Sequence, residues 1–288
     1  MNVAFLGLGA IGYPMAGHVK KQFETLVWNR TASVAERHSG EHGTRAASIT
    51  ECAAADVVIS CVPTSREVRE IVDAVSGSLR PGTLWIDCTS GDPATTREIA
   101  ATLAASGVEF VDAPVTGGKL GAEAGKLTIM VGGSDENFQR AQVVLETFAA
   151  KIVHVGDVGF GMAIKAMNNA MLAANMWVAA ECMVSLRKMG FDLARAFEVI
   201  NAGSGRSFVT ESLLPMRLVE GEWPIWFKLA MLDKDVRIAV ETMHGQHLAS
   251  PVVGLVSNLY TAARKELGED ADYVEICRFV AGMNGESW

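Results

Sequence analysis

Apolar residues fall along this chain in two patterns that change near residue 158. Before that point, short apolar runs bounded by turn residues predict strands at 2–6, 25–28, 56–62, 83–87, 108–111, 127–131 and 152–155. Amphipathic stretches between them predict helices. One follows Gly12, with Met15, Val19 and Phe23 turned inward. A charged one follows Pro63-Thr64, another starts at Gly91-Asp92-Pro93, and one lies around 138–148. Strands alternating with helices predict a parallel sheet wound by right-handed crossovers.

Beyond residue 158 no segment alternates as a strand. Residues 159–187 read GFGMAIKAMNNAMLAANMWVAAECMVSLR, with no Pro and no Gly after Gly161. That run predicts a long helix, apolar and buried on nearly every side. Helices are also expected near 193–201, 213–219, 229–243, 252–267 and 273–280. The expected fold class is an α/β Rossmann-type N-terminal domain over residues 1–158 and an all-α domain over 159–288, joined by the long helix.

Chemistry enters at both ends of this pattern. Gly7-Leu8-Gly9-Ala10-Ile11-Gly12 is a GxGxxG placed between a strand and a helix. There Gly7 makes the tight turn, Gly9 admits a pyrophosphate and Gly12 lets helix pack on strand. The helix N-terminus offers N–H groups to the phosphates. At the end of the next strand stand Asn29-Arg30-Thr31, where an NAD-preferring site places Asp or Glu. Asn29 removes a charge that repels a 2′-phosphate, and Arg30 supplies a planar fork to pair with one. The expected cofactor is therefore NADP, with NAD weaker; the bland alternative makes Arg30 a surface residue and Thr31 a helix cap. Ser90 and the loop 112–118 (DAPVTGG) follow predicted strands, where an α/β sheet forms its ligand crevice. The backbone at Gly117 and Gly118 reads equally as an anion-binding nest and as a plain turn.

In the long helix, Lys165 is the only charge before Glu181, and Asn169 follows it one turn on along the same face. A lysine in such a helix must find partners, reach water or release its proton more readily than usual. The cluster Asp233-Lys234-Asp235 reads equally as a solvated helix face. Gly203–Ser207 reads as a turn before a cap, with a phosphate site at Arg206 the weaker reading. His244 and His247 form an HxxH without an acidic partner, so no metal site is expected.

Composition adds boundaries. A net charge of -8 excludes general nucleic-acid binding, which needs a basic face. The five cysteines form no CxxC pair and read as reduced packing residues of a cytoplasmic protein. A strand follows Met1 at once, which leaves no room for a signal peptide. Lys165, Asn168, Asn169, Asn175 and Glu181 argue against the long helix crossing a membrane.

Four motifs in series resemble the β-hydroxyacid dehydrogenase family, which includes 3-hydroxyisobutyrate dehydrogenase and the glyoxylate, succinic semialdehyde and tartronate semialdehyde reductases. They are GLGAIGYPMA (7–16), DAPVTGG (112–118), GFGMAIKAMNN (159–169) and KDV (234–236), and together they span the chain. The resemblance implies an oxidoreductase that moves a hydride between nicotinamide and a small 3-hydroxy acid or semialdehyde. It implies Lys165 as general acid/base and Asn169 beside it as a substrate ligand. Thr116, Gly117 and Gly118 would hold the substrate carboxylate, and Ser90 would stand near nicotinamide and substrate. Val62, Pro63 and Lys234 would lie at the cofactor, and Asp235 would order the site. Thr116 stands where the family usually has Ser, Ser90 where it usually has Thr, Ile11 for a common Met and Val236 for Leu. An imine reductase on this scaffold and a non-catalytic dinucleotide-binding protein are the competing readings; the presence of Lys165 argues against both. Met171, Met176, Trp177, Trp223, Trp226 and Phe227 predict an apolar surface shared between subunits, in a homodimer or homotetramer.

Overall fold

The computed structural model describes the whole chain, Met1–Trp288. It divides into two compact units, Met1–Lys165 and Ala166–Trp288.

The first unit contains β1 (Asn2–Leu6), α1 (Gly12–Lys20), β2 (Glu24–Trp28), α2 (Ala32–His42), β3 (Arg45–Ala46), α3 (Ile49–Ala53), β4 (Val57–Ser60) and α4 (Ser65–Val75). It continues with β5 (Leu84–Asp87), α5 (Pro93–Ala104), β6 (Glu109–Asp112), β7 (Val115–Thr116), α6 (Gly118–Glu123), β8 (Leu127–Gly132), α7 (Asp135–Leu145) and β9 (Ala149–Gly156). The sheet runs β3-β2-β1-β4-β5-β6-β8-β7, with β9 pairing β8. From β3 to β6 every pairing is parallel. This is the doubly wound Rossmann order, and its switch point falls between β1 and β4. The central strands β4 and β5 are buried along their whole length and apolar up to Ser60 and Asp87 at their carboxyl ends, because helices cover both faces. Val3, Phe5, Ile59, Ile86 and Val111 pack one face. Ala4, Leu6, Val58 and Trp85 pack the other.

Three details differ from the sequence pattern. The sheet is not wholly parallel: β8 runs antiparallel to β6 and to β7. Two strands, β3 and β7, are two residues long, too short to show a period. Phe23 lies past the end of α1 and only partly joins the core.

The second unit holds most of α8 (Phe160–Lys188), then α9 (Leu193–Ala202), a π turn (Val209–Leu213), α10 (Leu214–Leu218), α11 (Leu229–Gly245), α12 (Pro251–Leu267), a short 3₁₀ turn (Tyr273–Glu275) and α13 (Ile276–Met283). Its core gathers Met176, Trp177, Ala180 and Met183 of α8 with Leu232 and Val236 of α11, Tyr260 of α12 and Val280 of α13. The expectation of a helix buried all round is therefore corrected. One side of α8 is core, while Ile164, Met171 and Val178 are 43%, 63% and 59% exposed. Met176 and Trp177, expected on a shared surface, are buried within the subunit instead. Cys182, expected to pack, is exposed; all five cysteines are free thiols. No helix is long and apolar enough to cross a membrane.

Candidate active site

The glycine loop joins β1 to α1 at the switch point. Gly7 has φ 98°, a left-handed conformation that side chains disfavour. A Cβ there would also strike the Cys61 carbonyl and lie 2.9 Å from Val62 Cγ1. A Cβ at Gly12 would collide with the Gly7 carbonyl and reach 3.1 Å from Phe5. Gly9 differs: nothing lies within 4 Å of its Cβ position. Two glycines are thus demanded by the protein's own packing, while the third leaves open space. Gly9 and Ala10 are exposed and line a cleft of about 630 Å³ with Leu8, Tyr13, His18 and Lys21. The open space at Gly9 fits a pyrophosphate against the loop, while the cleft itself continues down the side of α1 past Gly17, His18 and Lys21.

Asn29 directly follows the adjoining strand and ties it to the loop. Its Oδ1 accepts from the Leu8 N–H at 3.0 Å, and its Nδ2 donates to the Thr31 carbonyl at 3.2 Å. Arg30 is exposed. Thr31 is the residue before α2, but its side chain makes no capping hydrogen bond, so the capping alternative fails.

Three further loops leave the carboxyl ends of β4, β5 and β6. Val62 and Pro63 follow β4, and the Val62 N–H donates to Thr89 Oγ1 at 3.2 Å. Asp87, at the end of β5, accepts from Ser60 Oγ at 2.8 Å and from the Thr89 N–H at 3.1 Å. This buried polar network fixes the base of the loop that carries Ser90, which is itself half-buried. Thr116 closes β7, paired opposite Thr128. Gly117 and Gly118 follow with φ 127° and 62°, both exposed and both in backbone conformations that favour glycine.

The sequence reading passed over Asp112. It is fully buried at the end of β6. Its Oδ1 accepts from the Gly159 N–H at 2.7 Å and its Oδ2 from the Met162 N–H at 2.9 Å. Burial pushes its carboxyl up to about 6, against the pull of these two N–H groups. The glycines of GFGM have a steric reason here. A Cβ on Gly161 would sit 2.7 Å from Asp112 Oδ2, and one on Gly159 would sit 2.7 Å from an Arg97 guanidinium nitrogen. Gly91 N–H also points to Met162 Sδ at 3.3 Å. Lys165, half-buried, lies one turn beyond Met162 in α8.

In the second unit, Asn169 is buried and donates through Nδ2 to Asp235 Oδ2 at 2.5 Å. Its Oδ1 accepts from Asn168 Nδ2 at 3.1 Å. These partners fix which way the amide points. Lys234 Nζ lies 3.1 Å from Asp235 Oδ1. The solvated-face reading of 233–235 is overturned for its two acids, because Asp233 and Asp235 are both buried. Asp233 is held by Arg264 at 2.8 Å, Arg237 at 3.4 Å and Thr261 at 2.8 Å. In the turn 203–207, Ser207 Oγ accepts from the Thr210 N–H at 3.2 Å, and Arg206 pairs with Glu211 at 2.8 Å.

A Rossmann sheet with an open glycine cradle, followed by a helical domain, defines a dinucleotide-binding protein. Comparison with known proteins makes this narrower. Residues 2–156 match the NAD-binding domain of 6-phosphogluconate dehydrogenase. Residues 159–280 match the NAD-binding domain of NADP-dependent 3-hydroxyisobutyrate dehydrogenase. The 2-(hydroxymethyl)glutarate dehydrogenase of Eubacterium barkeri is 33% identical over 92% of this chain and 89% of its own. The Mycobacterium tuberculosis 3-hydroxyisobutyrate dehydrogenase, solved with L-serine, superposes with TM-score 0.89 at 30% identity, covering 97% of this chain and 98% of that one. Psf3, solved with NADP+ and 2-OPP, superposes with TM-score 0.86 at 26% identity, covering 96% and 99%. The chain belongs to the β-hydroxyacid dehydrogenase family and is an NAD(P)-dependent oxidoreductase of that class.

Proposed function

We propose that this enzyme interconverts a small 3-hydroxy acid and its semialdehyde, preferring NADP(H), with Lys165 as the general acid/base. The observation that carries the reading is the constellation on α8: Lys165 one turn from Asn169, whose amide is locked by Asp235. When bound, the nicotinamide supplies or takes the hydride. In reduction, the Lys165 ammonium gives a proton to the oxygen as the C–O double bond becomes a single bond. In oxidation, the neutral amine takes the hydroxyl proton. Thr116, Gly117 and Gly118 hold the substrate carboxylate, and Ser90 and Asn169 orient the reacting carbon. Asp235 sets Asn169, and Lys234 reaches the cofactor. Gly7, Leu8, Gly9, Ala10, Ile11 and Gly12 seat the pyrophosphate, with Val62 and Pro63 beside the cofactor. Asn29, Arg30 and Thr31 form the 2′-phosphate side of the site.

The domain division we favour is 1–158 for cofactor and 159–288 for substrate and assembly. The free cysteines suit a cytoplasmic location, and the exposed apolar face of α8 suits a homodimer or a tetramer of dimers.

The test is a panel. Glyoxylate, succinic semialdehyde, methylmalonate semialdehyde and tartronate semialdehyde are mixed with enzyme and NADPH, and absorbance of the reduced cofactor is followed. At least one should be reduced with saturation kinetics. Silence across the panel, together with silence toward the matching 3-hydroxy acids and NADP+, would remove the substrate class.

A further inference from the structure

We infer that Asp112 is a positioning residue for the reaction: it sets where α8 starts, and so where Lys165 stands relative to the 113–118 loop. This rests on the acid/base reading of Lys165.

The backbone of Asp112 is itself fixed. It closes β6, paired across to Gly132, and the next N–H, of Ala113, donates to the Asp87 carbonyl at 2.7 Å. The first N–H groups of an α-helix have no partner within the helix. A cap from the residues just before a helix satisfies them but does not locate the helix in the fold. Here the acceptors come from a strand, across 47 and 50 residues of sequence. One oxygen takes the N–H just before the helix and the other takes one inside its first turn. Two bonds from one rigid carboxylate restrain both the advance of the helix along its axis and its rotation. The negative charge also suits the helix N-terminus.

The carboxylate has little freedom. A Cβ on Gly132 would lie 2.5 Å from Oδ1, and one on Gly161 would lie 2.7 Å from Oδ2. Glycine at both places lets the walls close directly on the oxygens. Lys165 is three residues beyond Met162, about 4.5 Å further along a continuous helix. A shift at the first turn therefore passes undiminished to the lysine. On the other side of Asp112 the chain runs straight into Ala113–Gly118. One side chain thus aligns the loop assigned to the substrate carboxylate with the amine assigned to its oxygen.

Asp112→Asn tests this. Asn keeps one acceptor but presents an NH₂ to one of the two N–H donors, so one bond becomes a repulsion. NADPH affinity and binding stoichiometry are measured alongside kcat, KM and the deuterium isotope effect from 4-deuterated cofactor, on the best semialdehyde. Per cofactor-binding site, kcat should fall by about tenfold to a hundredfold, the scale of a misplacement near 1 Å. NADPH affinity should stay within about threefold, because the glycine loop is untouched. The isotope effect should equal or exceed the parent's, as chemistry becomes slower. A purely structural Asp112 would lower the amount of competent enzyme and leave kcat per binding site unchanged; that result overturns the inference. If Asp112→Asn does not fold, Asp112→Ser, smaller and still an acceptor, is read by the same criteria. Failure of both to fold makes Asp112 a stability residue and also overturns it. Lys165→Ala runs in parallel. A dead Lys165→Ala beside an unimpaired Asp112→Asn rejects only the positioning role, whereas an active Lys165→Ala rejects the acid/base reading beneath it.

Discussion

Asn29 does two things with one side chain. Its Oδ1 holds the Leu8 N–H, so the end of β2 braces the glycine loop. Being uncharged, it also leaves Arg30 free of a neighbouring acid that would oppose a 2′-phosphate. The absence of an acid was legible in the sequence; the brace was not, because its partner is 21 residues away. The substitution Asn29→Asp keeps an acceptor for Leu8 and adds a charge. NADP(H) binding should weaken by at least about tenfold relative to NAD(H), roughly one favourable charge contact exchanged for an unfavourable one. Dissociation constants for the two cofactors, in parent and variant, check this. Equal affinities in the parent would refute the NADP preference. Distance in sequence hid the burial of Asp112, Asp233 and Asp235 in the same way. A carboxylate in a string of letters looks solvated until the Gly159 and Met162 N–H groups, Arg264, or Asn169 are brought to it. Asp112 had one visible trace, the glycine at 161, where a Cβ would press on the Met130 carbonyl and on Asp112 Oδ2; Gly159 answers instead to Arg97 and Pro93.

At the scale of elements, the long strands and helices announced themselves by period, and β3 and β7 could not, at two residues each. The reversed direction of β8 was also invisible, since antiparallel and buried parallel strands share an apolar run when both faces are covered. Helix α8 shows the limit of composition most clearly. Being rich in Ala and Met, it reads as buried throughout, yet Ile164, Met171 and Val178 recur at intervals of seven on an exposed side. That interval keeps side chains on one face of a helix that packs along another. The expected occupant is a second copy of the chain. Met171→Glu should shift a dimer toward monomer at micromolar concentration, as seen by light scattering, with folding intact by circular dichroism. A parent that is already monomeric would contradict the assembly, and an unshifted Met171→Glu would place the interface elsewhere.

At the scale of the molecule, the division of labour follows from the two patterns in the chain. The sheet of the first unit presents loops at the carboxyl ends of β1, β2, β4, β5 and β6, and the residues assigned to cofactor and carboxylate, Lys234 apart, lie on them. Within the second unit, Asn169 and Asp235 are both buried and hydrogen-bonded to each other. In the proposed mechanism, Lys165 is the group on which the chemistry converges. Replacing it with Ala removes the amine and leaves the glycine loop, Asn29 and Arg30 untouched. NADPH binding should persist, and Lys165→Arg should not restore turnover, because a guanidinium keeps its proton. The direct measurement is kcat of Lys165→Ala against the parent on the best semialdehyde. A fall of roughly two to four orders of magnitude is the outcome expected for loss of a general acid. Retention of more than about a tenth of parental turnover, well short of that hundredfold minimum, would make Lys165 a structural lysine and contradict the mechanism.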